Sequence, residues 1–169
     1  LIRRTCMPPT LERMYRIAVV CTGNICRSPM AEAIMRAKLA EAGLSDVASV
    51  TSCGIEDYHV GQHADRRALD ELKAHGYDGS SLRASQVSPF DLAADLLVPM
   101  TTQHRSQLIV QGADPEKVML LRDFDPNSAP NSSVADPYYG GPEGFAATRK
   151  QIEAASDGII DWVRAQVDD

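Results

Sequence analysis

Apolar residues fall along this chain in two alternating rhythms. Tyr15–Cys21 reads YRIAVVC, a short, nearly continuous run of apolar and β-branched residues, which predicts a strand buried on both faces. After the turn-prone Thr22-Gly23-Asn24 a helical spacing takes over, with Ala31, Met35, Leu39 and Ala42 on one side. Ser28 can cap that helix with Pro29 at its first position, and Gly43 is a natural stop. Val47–Cys53 is a second strand candidate. Asp65–His75 returns to helical spacing through Ala68, Leu69 and Leu72 and ends before Gly76. A turn or short helix from Asp91 feeds a third strand at Leu96–Met100. Thr101 or Thr102 caps the next helix, which stops near Gly112. Lys117–Leu121 is a fourth strand candidate, and Pro142 to about Val167 is a closing helix with Ile152, Ala155, Ile159 and Val163 in register. Trp162 in that helix reads as a packing residue.

Four short strands separated by helices predict an α/β fold, a four-stranded parallel sheet with helices on both faces. Between the last strand and the last helix, residues 122–142 are rich in Asp, Asn, Ser, Pro and Gly. So long a loop in a compact domain argues for a functional use.

Length and composition narrow the picture. The chain has 169 residues, 44% hydrophobic and 24% charged, enough for one domain with a sizeable core. We expect that domain over residues 15–169, with Leu1–Met14, which contains Pro8 and Pro9, as a flexible extension. The formal charge of -6 gives no support for nucleic-acid binding. No apolar stretch is long enough to span a bilayer, and Leu1–Thr10 lacks the apolar region of a signal peptide. Cys6, Cys21, Cys26 and Cys53 are therefore expected as free thiols in a reducing cytoplasm, although secretion without a signal stays compatible with the sequence.

The chemistry concentrates in Cys21-Thr22-Gly23-Asn24-Ile25-Cys26-Arg27-Ser28, between the first strand and the first helix. Wrapped around an anion, such a loop points the N–H groups of residues 22–27 inward, and the helix adds its positive end. Gly23 permits close approach of the backbone, and Asn24 tolerates a left-handed conformation. Arg27 supplies a planar fork for two phosphoryl oxygens, and the electropositive cradle favours a thiolate at Cys21. A Gly-Lys-Ser/Thr ending is absent, which excludes the nucleotide-hydrolase P-loop. Cys21 and Cys26 lie five apart, not at C-x-x-C spacing, and the four histidines are scattered, so neither metal nor cofactor is implied.

CTGNICRSP, Cys21–Pro29, resembles the signature of the low-molecular-weight protein tyrosine phosphatases, especially their actinobacterial members. The resemblance runs from about Tyr15 to Val167. It implies Cys21 as nucleophile, Arg27 as phosphate clamp, Asn24 and Ser28 as holders of the loop, and Cys26 as a second thiol able to form a protective disulfide with Cys21. It also implies that Asp136, in Asp136-Pro137-Tyr138-Tyr139, is the general acid and later the base. Tyr138, Tyr139 and Tyr58 then wall the substrate pocket, while Glu32, Ser52 and His75 support Asn24 and the loop through hydrogen bonds. Asp123 and Asp125 read as structural. Departures from the family pattern are Cys53 where Ala is usual, Thr101 where Asp is common, and Ala64 in place of Pro.

The activity so implied is hydrolysis of phosphotyrosine in proteins or peptides, with no membrane and no nucleic acid involved; we expect a monomer, and weak self-association stays compatible with the sequence. A phosphoarginine phosphatase on the same scaffold is the alternative; that branch usually has Thr at the place of Ile25 and lacks the paired tyrosines. A thiol-dependent arsenate reductase needs further redox cysteines. A phosphate-binding module that does no chemistry needs neither Cys21 nor Asp136 in its role.

Overall fold

The computed structural model of the protein describes residues 13–168. The expectation of a flexible extension falls, for residues 1–12, outside the described residues. The chain runs β1 (Tyr15–Cys21), α1 (Arg27–Glu41), β2 (Ala48–Gly54), α2 (Arg66–Ala74), a short α3 (Pro89–Leu92), β3 (Leu96–Pro99), α4 (Thr102–Val110) and α5 (Pro142–Val167). Turns of 3₁₀ helix at Pro115–Lys117, Leu121–Phe124 and Pro137–Tyr139 punctuate the segment between α4 and α5.

The sheet is parallel in the order β2-β1-β3, with three strands and not the four expected. The segment expected as a fourth strand is held to a single parallel bridge, Leu97 to Val118, with Met119 N–H donating to Leu97 O at 2.9 Å. The physical reason is local. Lys117 ends one 3₁₀ turn and Leu121 begins another, so too few extended residues remain between them to build a ladder.

Central β1 is covered on both faces, as its apolar run requires. Ile17, Val19 and Cys21 join the larger core with Met30, Ile34 and Met35 of α1, Leu72 of α2, and Ile152, Ala155 and Ile159 of α5. Ala18 and Val20 face the other way, into a smaller cluster with Cys53, Leu97 and Leu108 of α4. Trp162 packs edge-on to Tyr15, ring centres 6.3 Å apart. The register sets Cys21, the last residue of β1, opposite Gly54, the last of β2. The site therefore forms at the carboxyl ends of parallel strands, where loops converge and helix N-termini point.

Candidate active site

The loop after β1 turns its carbonyls toward the scaffold. Cys21 O accepts from Ile55 N at 2.9 Å, Thr22 O from Glu56 N at 2.9 Å, and Ile25 O from Asp65 N at 2.7 Å. Among the described residues, the backbone N–H groups of Thr22 to Arg27 find no acceptor in the protein. Peptide units so oriented form a concave set of donors, and α1 begins at its edge with its positive end.

Asn24 carries the sharpest bend, at φ 57°. Its Nδ2 donates to Ser28 Oγ at 2.7 Å and its Oδ1 accepts from Ser85 N at 2.9 Å. Ser28 does not cap the helix as its sequence position suggested: α1 starts at Arg27, and Cys26 is the capping residue without a side-chain bond. The Ser28 hydroxyl is used inside the site. It accepts from Asn24, and its hydrogen can go to Cys21 Sγ, 2.9 Å away, or to Cys53 O at 3.4 Å. A thiolate there would gain a donor.

Two glycines let the loop lie flat. A Cβ on Gly23 would come 2.9 Å from His59 Cδ2, and one on Gly54 would come 2.7 Å from Thr22 O. Neither separation accommodates a methyl group without movement.

Arg27 is buried and tightly held. Its Nη1 donates to Val134 O at 3.0 Å, its Nη2 to Thr22 Oγ1 at 3.3 Å, and Nη2 also lies 3.5 Å from Asp136 Oδ2. Thr22 Oγ1 meets His104 Nε2 at 2.8 Å. His104 is only 4% exposed, and its Nδ1 has no partner among the described residues. Burial, and next the Arg27 charge, lower its pKa to about 4, so at neutral pH the ring is uncharged. Thr101 caps α4, accepting from His104 N at 3.1 Å, and so sets the ring's position.

The cavity above Cys21 has a volume of about 320 Å³, and its walls include Ile25, Tyr58, His59, Asp136, Tyr138 and Tyr139. Asp136 caps its own 3₁₀ turn, accepting from Tyr138 N at 3.1 Å, with its side chain 40% exposed. Tyr138 and Tyr139 meet edge to face at 4.9 Å between ring centres.

Cys21 and Cys26 both line this cavity. Burial, with the nearby Asp65 carboxylate next, pushes the Cys26 thiol up to about 12, so Cys26 does not compete with Cys21 as the resting nucleophile. Cys53 is fully buried in the cluster on the opposite face of the sheet, its thiol also raised by burial, and so does not face Cys21.

The expected supports of Asn24 are arranged differently from the sequence reading. Ser52 Oγ donates to Glu32 Oε1 at 2.7 Å, and Glu32 pairs with Arg36. Their link to Asn24 is indirect, through Ser85, whose hydroxyl donates to Ser52 O at 3.4 Å. His75 is not at the loop at all. It ends α2, and its ring lies 3.5 Å from Glu71, one helical turn back, where a histidine at a helix terminus is at ease. The histidine that hydrogen-bonds to the loop is His104, which carried no local signal because its partner lies 82 residues upstream. Asp123 and Asp125 accept from Asn131 N and Asn127 N and organise the connecting loop.

A cysteine under unpaired backbone donors, with a buried arginine and a carboxylate on the rim, defines a cysteine-dependent phosphoryl-transfer site. Similarity to known proteins gives the particular kind. The family model for low molecular weight phosphotyrosine protein phosphatase matches residues 16–169, and the chain belongs to that family, as a phosphoric monoester hydrolase. It is 46% identical over 148 residues to low molecular weight protein-tyrosine phosphatase A of Mycobacterium tuberculosis, covering 87% of this chain and 90% of that one. Among solved structures it resembles a protein tyrosine phosphatase from Entamoeba histolytica, with TM-score 0.84, 30% identity, and 90% and 98% of the two chains covered. It also resembles the YwlE arginine phosphatase from Geobacillus stearothermophilus, with TM-score 0.77, 28% identity, and 90% and 94% covered. Among the described residues no helix is long and apolar enough to cross a membrane.

Proposed function

We propose that the enzyme hydrolyses phosphotyrosine in proteins through a phosphocysteine at Cys21, with Arg27 as phosphate clamp and Asp136 as acid and then base. The observation that carries this reading is the ring of unpaired N–H groups from Thr22 to Arg27 around a Cys21 Sγ that can accept from Ser28. Three equatorial phosphoryl oxygens would take those donors and the Arg27 guanidinium. The Cys21 thiolate attacks phosphorus as the P–O bond to the tyrosine breaks, and Asp136 gives its proton to the departing phenolate. Asp136, now ionised, takes a proton from water as the water oxygen attacks phosphorus. The P–S bond breaks, the electron pair returns to Cys21, and inorganic phosphate leaves.

The substrate class follows from the walls. Tyr58, Tyr138 and Tyr139 offer flat apolar surface to an aryl ring, which a short alkyl phosphate would leave unfilled. Ile25, on the same wall, offers no hydroxyl to a guanidinium, which favours phosphotyrosine over phosphoarginine. Metal and cofactor have no role in these steps. We further assign the protein to work as a monomer in a reducing, cytoplasmic setting on phosphotyrosine-bearing protein or peptide partners, without nucleic acid or membrane.

The test is a panel of matched phosphotyrosine and phosphoarginine peptides with the parent enzyme and Cys21→Ser. We expect turnover of the phosphotyrosine peptides and its loss in the serine variant. Preferred turnover of phosphoarginine would overturn the substrate class, and near-parent activity of Cys21→Ser would overturn the nucleophile.

A further inference from the structure

The geometry points to Arg67 as a positioning residue for the general acid, a latch that fastens the Asp136 turn to the phosphate loop. Nothing in the sequence pattern marked this side chain. Three elements meet on it. Asp65, the cap of α2, donates its backbone N–H to Ile25 O of the phosphate loop at 2.7 Å. Its carboxylate receives Arg67 by two side-chain bonds, Nε at 3.0 Å and Nη2 at 2.9 Å, plus the Arg67 backbone N–H at 2.9 Å. The remaining arm of the fork, Nη1, donates to Tyr138 O at 3.1 Å.

The Tyr138 peptide is therefore held from both sides, its carbonyl by Arg67 and its N–H by Asp136 Oδ1 at 3.1 Å. The guanidinium also lies 5.4 Å from the centre of the Tyr138 ring and 4.8 Å from that of Phe145 on α5. The other end of the acid segment is fixed independently. Val134 N donates to Met100 O at 2.8 Å, and Val134 O accepts from Arg27. Asp136 sits between these two anchors, and beyond Tyr139 the chain enters α5 through Gly140 and Gly141. Without Arg67, the segment keeps its Val134 anchor and the packing of buried Pro137 but loses the bond that ties the Tyr138 carbonyl to the phosphate loop through Asp65. A planar fork that satisfies Asp65 with one edge and a carbonyl with another is a task for arginine, which a lysine point charge does not reproduce.

This inference rests on the acid assignment made above, so its test separates the two. The values of kcat/KM, which report the steps through P–O cleavage, are compared for phenyl phosphate, a poor leaving group, and p-nitrophenyl phosphate, a good one. Arg67→Met should lose about tenfold or more on phenyl phosphate and less than about threefold on p-nitrophenyl phosphate, the signature of a misplaced proton donor. Inhibition by inorganic phosphate, which reads the loop alone, should stay near the parent value. Asp136→Asn should show the same signature more strongly. In the double variant, adding Arg67→Met to Asp136→Asn should cost no more than about twofold further, because the latch then has nothing left to position.

Asp65→Asn is the second variant; it keeps the helix cap and the backbone bond to Ile25 while breaking the carboxylate–guanidinium pair. It should give a weaker form of the same pattern, and it tests the latch if Arg67→Met does not fold. Equal losses on both substrates, or full additivity with Asp136→Asn, would overturn the latch. If Asp136→Asn itself lacks the leaving-group signature, the acid assignment falls, and the latch with it. If only Asp136→Asn has the signature, the latch alone falls.

Discussion

Gly54→Ala adds one methyl group at the point where the sheet touches the phosphate loop. The new Cβ would stand 2.7 Å from Thr22 O, 3.1 Å from Asn24 N and 3.1 Å from Gly23 C. Ordinary contacts of this kind sit near 3.5 Å, so the Thr22 carbonyl must retreat by roughly 0.5 Å or more. That carbonyl accepts from Glu56 N at 2.9 Å, and Asn24 is tied at both ends of its amide, so the loop has little slack to give. Overpacking of this sort costs about 1–3 kcal/mol, against which the stiffer alanine returns about 0.4–1 kcal/mol through the unfolded chain. A net loss of about 1–2 kcal/mol lowers Tm by roughly 3–6 °C in a domain of this size. The functional loss should be larger in proportion, since the displaced groups are the donors around Cys21. A shift of about 0.5 Å there should lower kcat/KM by roughly ten- to a hundredfold. The assay is kcat/KM on p-nitrophenyl phosphate together with the inhibition constant of inorganic phosphate and a thermal melt. Gly158→Ala is the contrast: its Cβ would meet Phe124 O at 2.2 Å, away from the site, so it should lower Tm and spare kcat/KM. A Gly54→Ala enzyme within about twofold of parent kcat/KM would refute the reasoning.

Oxidation should read out the two faces of the sheet: Cys26→Ala should lose thiol-reversible protection against peroxide, whereas Cys53→Ala, buried behind the sheet, should behave as the parent. Activity recovered by dithiothreitol, with peptide mapping, checks this, and a Cys21–Cys53 disulfide would contradict it. His104 makes the fold acid-sensitive. Its folded pKa of about 4 lies below the ordinary 6.5, so between those values the unfolded chain binds the extra proton and stability falls as pH falls. Parent and His104→Gln should thus diverge by on the order of 2–3 kcal/mol in urea unfolding between pH 7 and pH 4.5, the parent losing more; parallel curves would remove His104 as the cause.

What the sequence determined by itself is what lies within one turn of chain. Cys21, the N–H groups of residues 22–27, Arg27 and Ser28 are consecutive, and a buried strand before them with a helix after them leaves such a loop few shapes. The helices could be read from apolar spacing for the same reason, as could a threonine cap at Thr101 or Thr102, of which Thr101 holds the His104 N–H. Only the tertiary structure decided who meets that loop from elsewhere. His104 reaches Thr22 across 82 residues, Ser85 reaches Asn24 across 61, and Arg67 reaches Tyr138 across 71. Gly54 matters because the parallel register sets it beside Cys21. The same distinction explains the misreadings. The Lys117–Leu121 run has the composition of a strand, yet flanking 3₁₀ turns leave it one rung. His75 has the look of a site residue, yet the direction of α2 carries it to Glu71. Apolar spacing is fixed by burial along one element, whereas a hydrogen bond between elements depends on crossing angles and register, which no local pattern encodes.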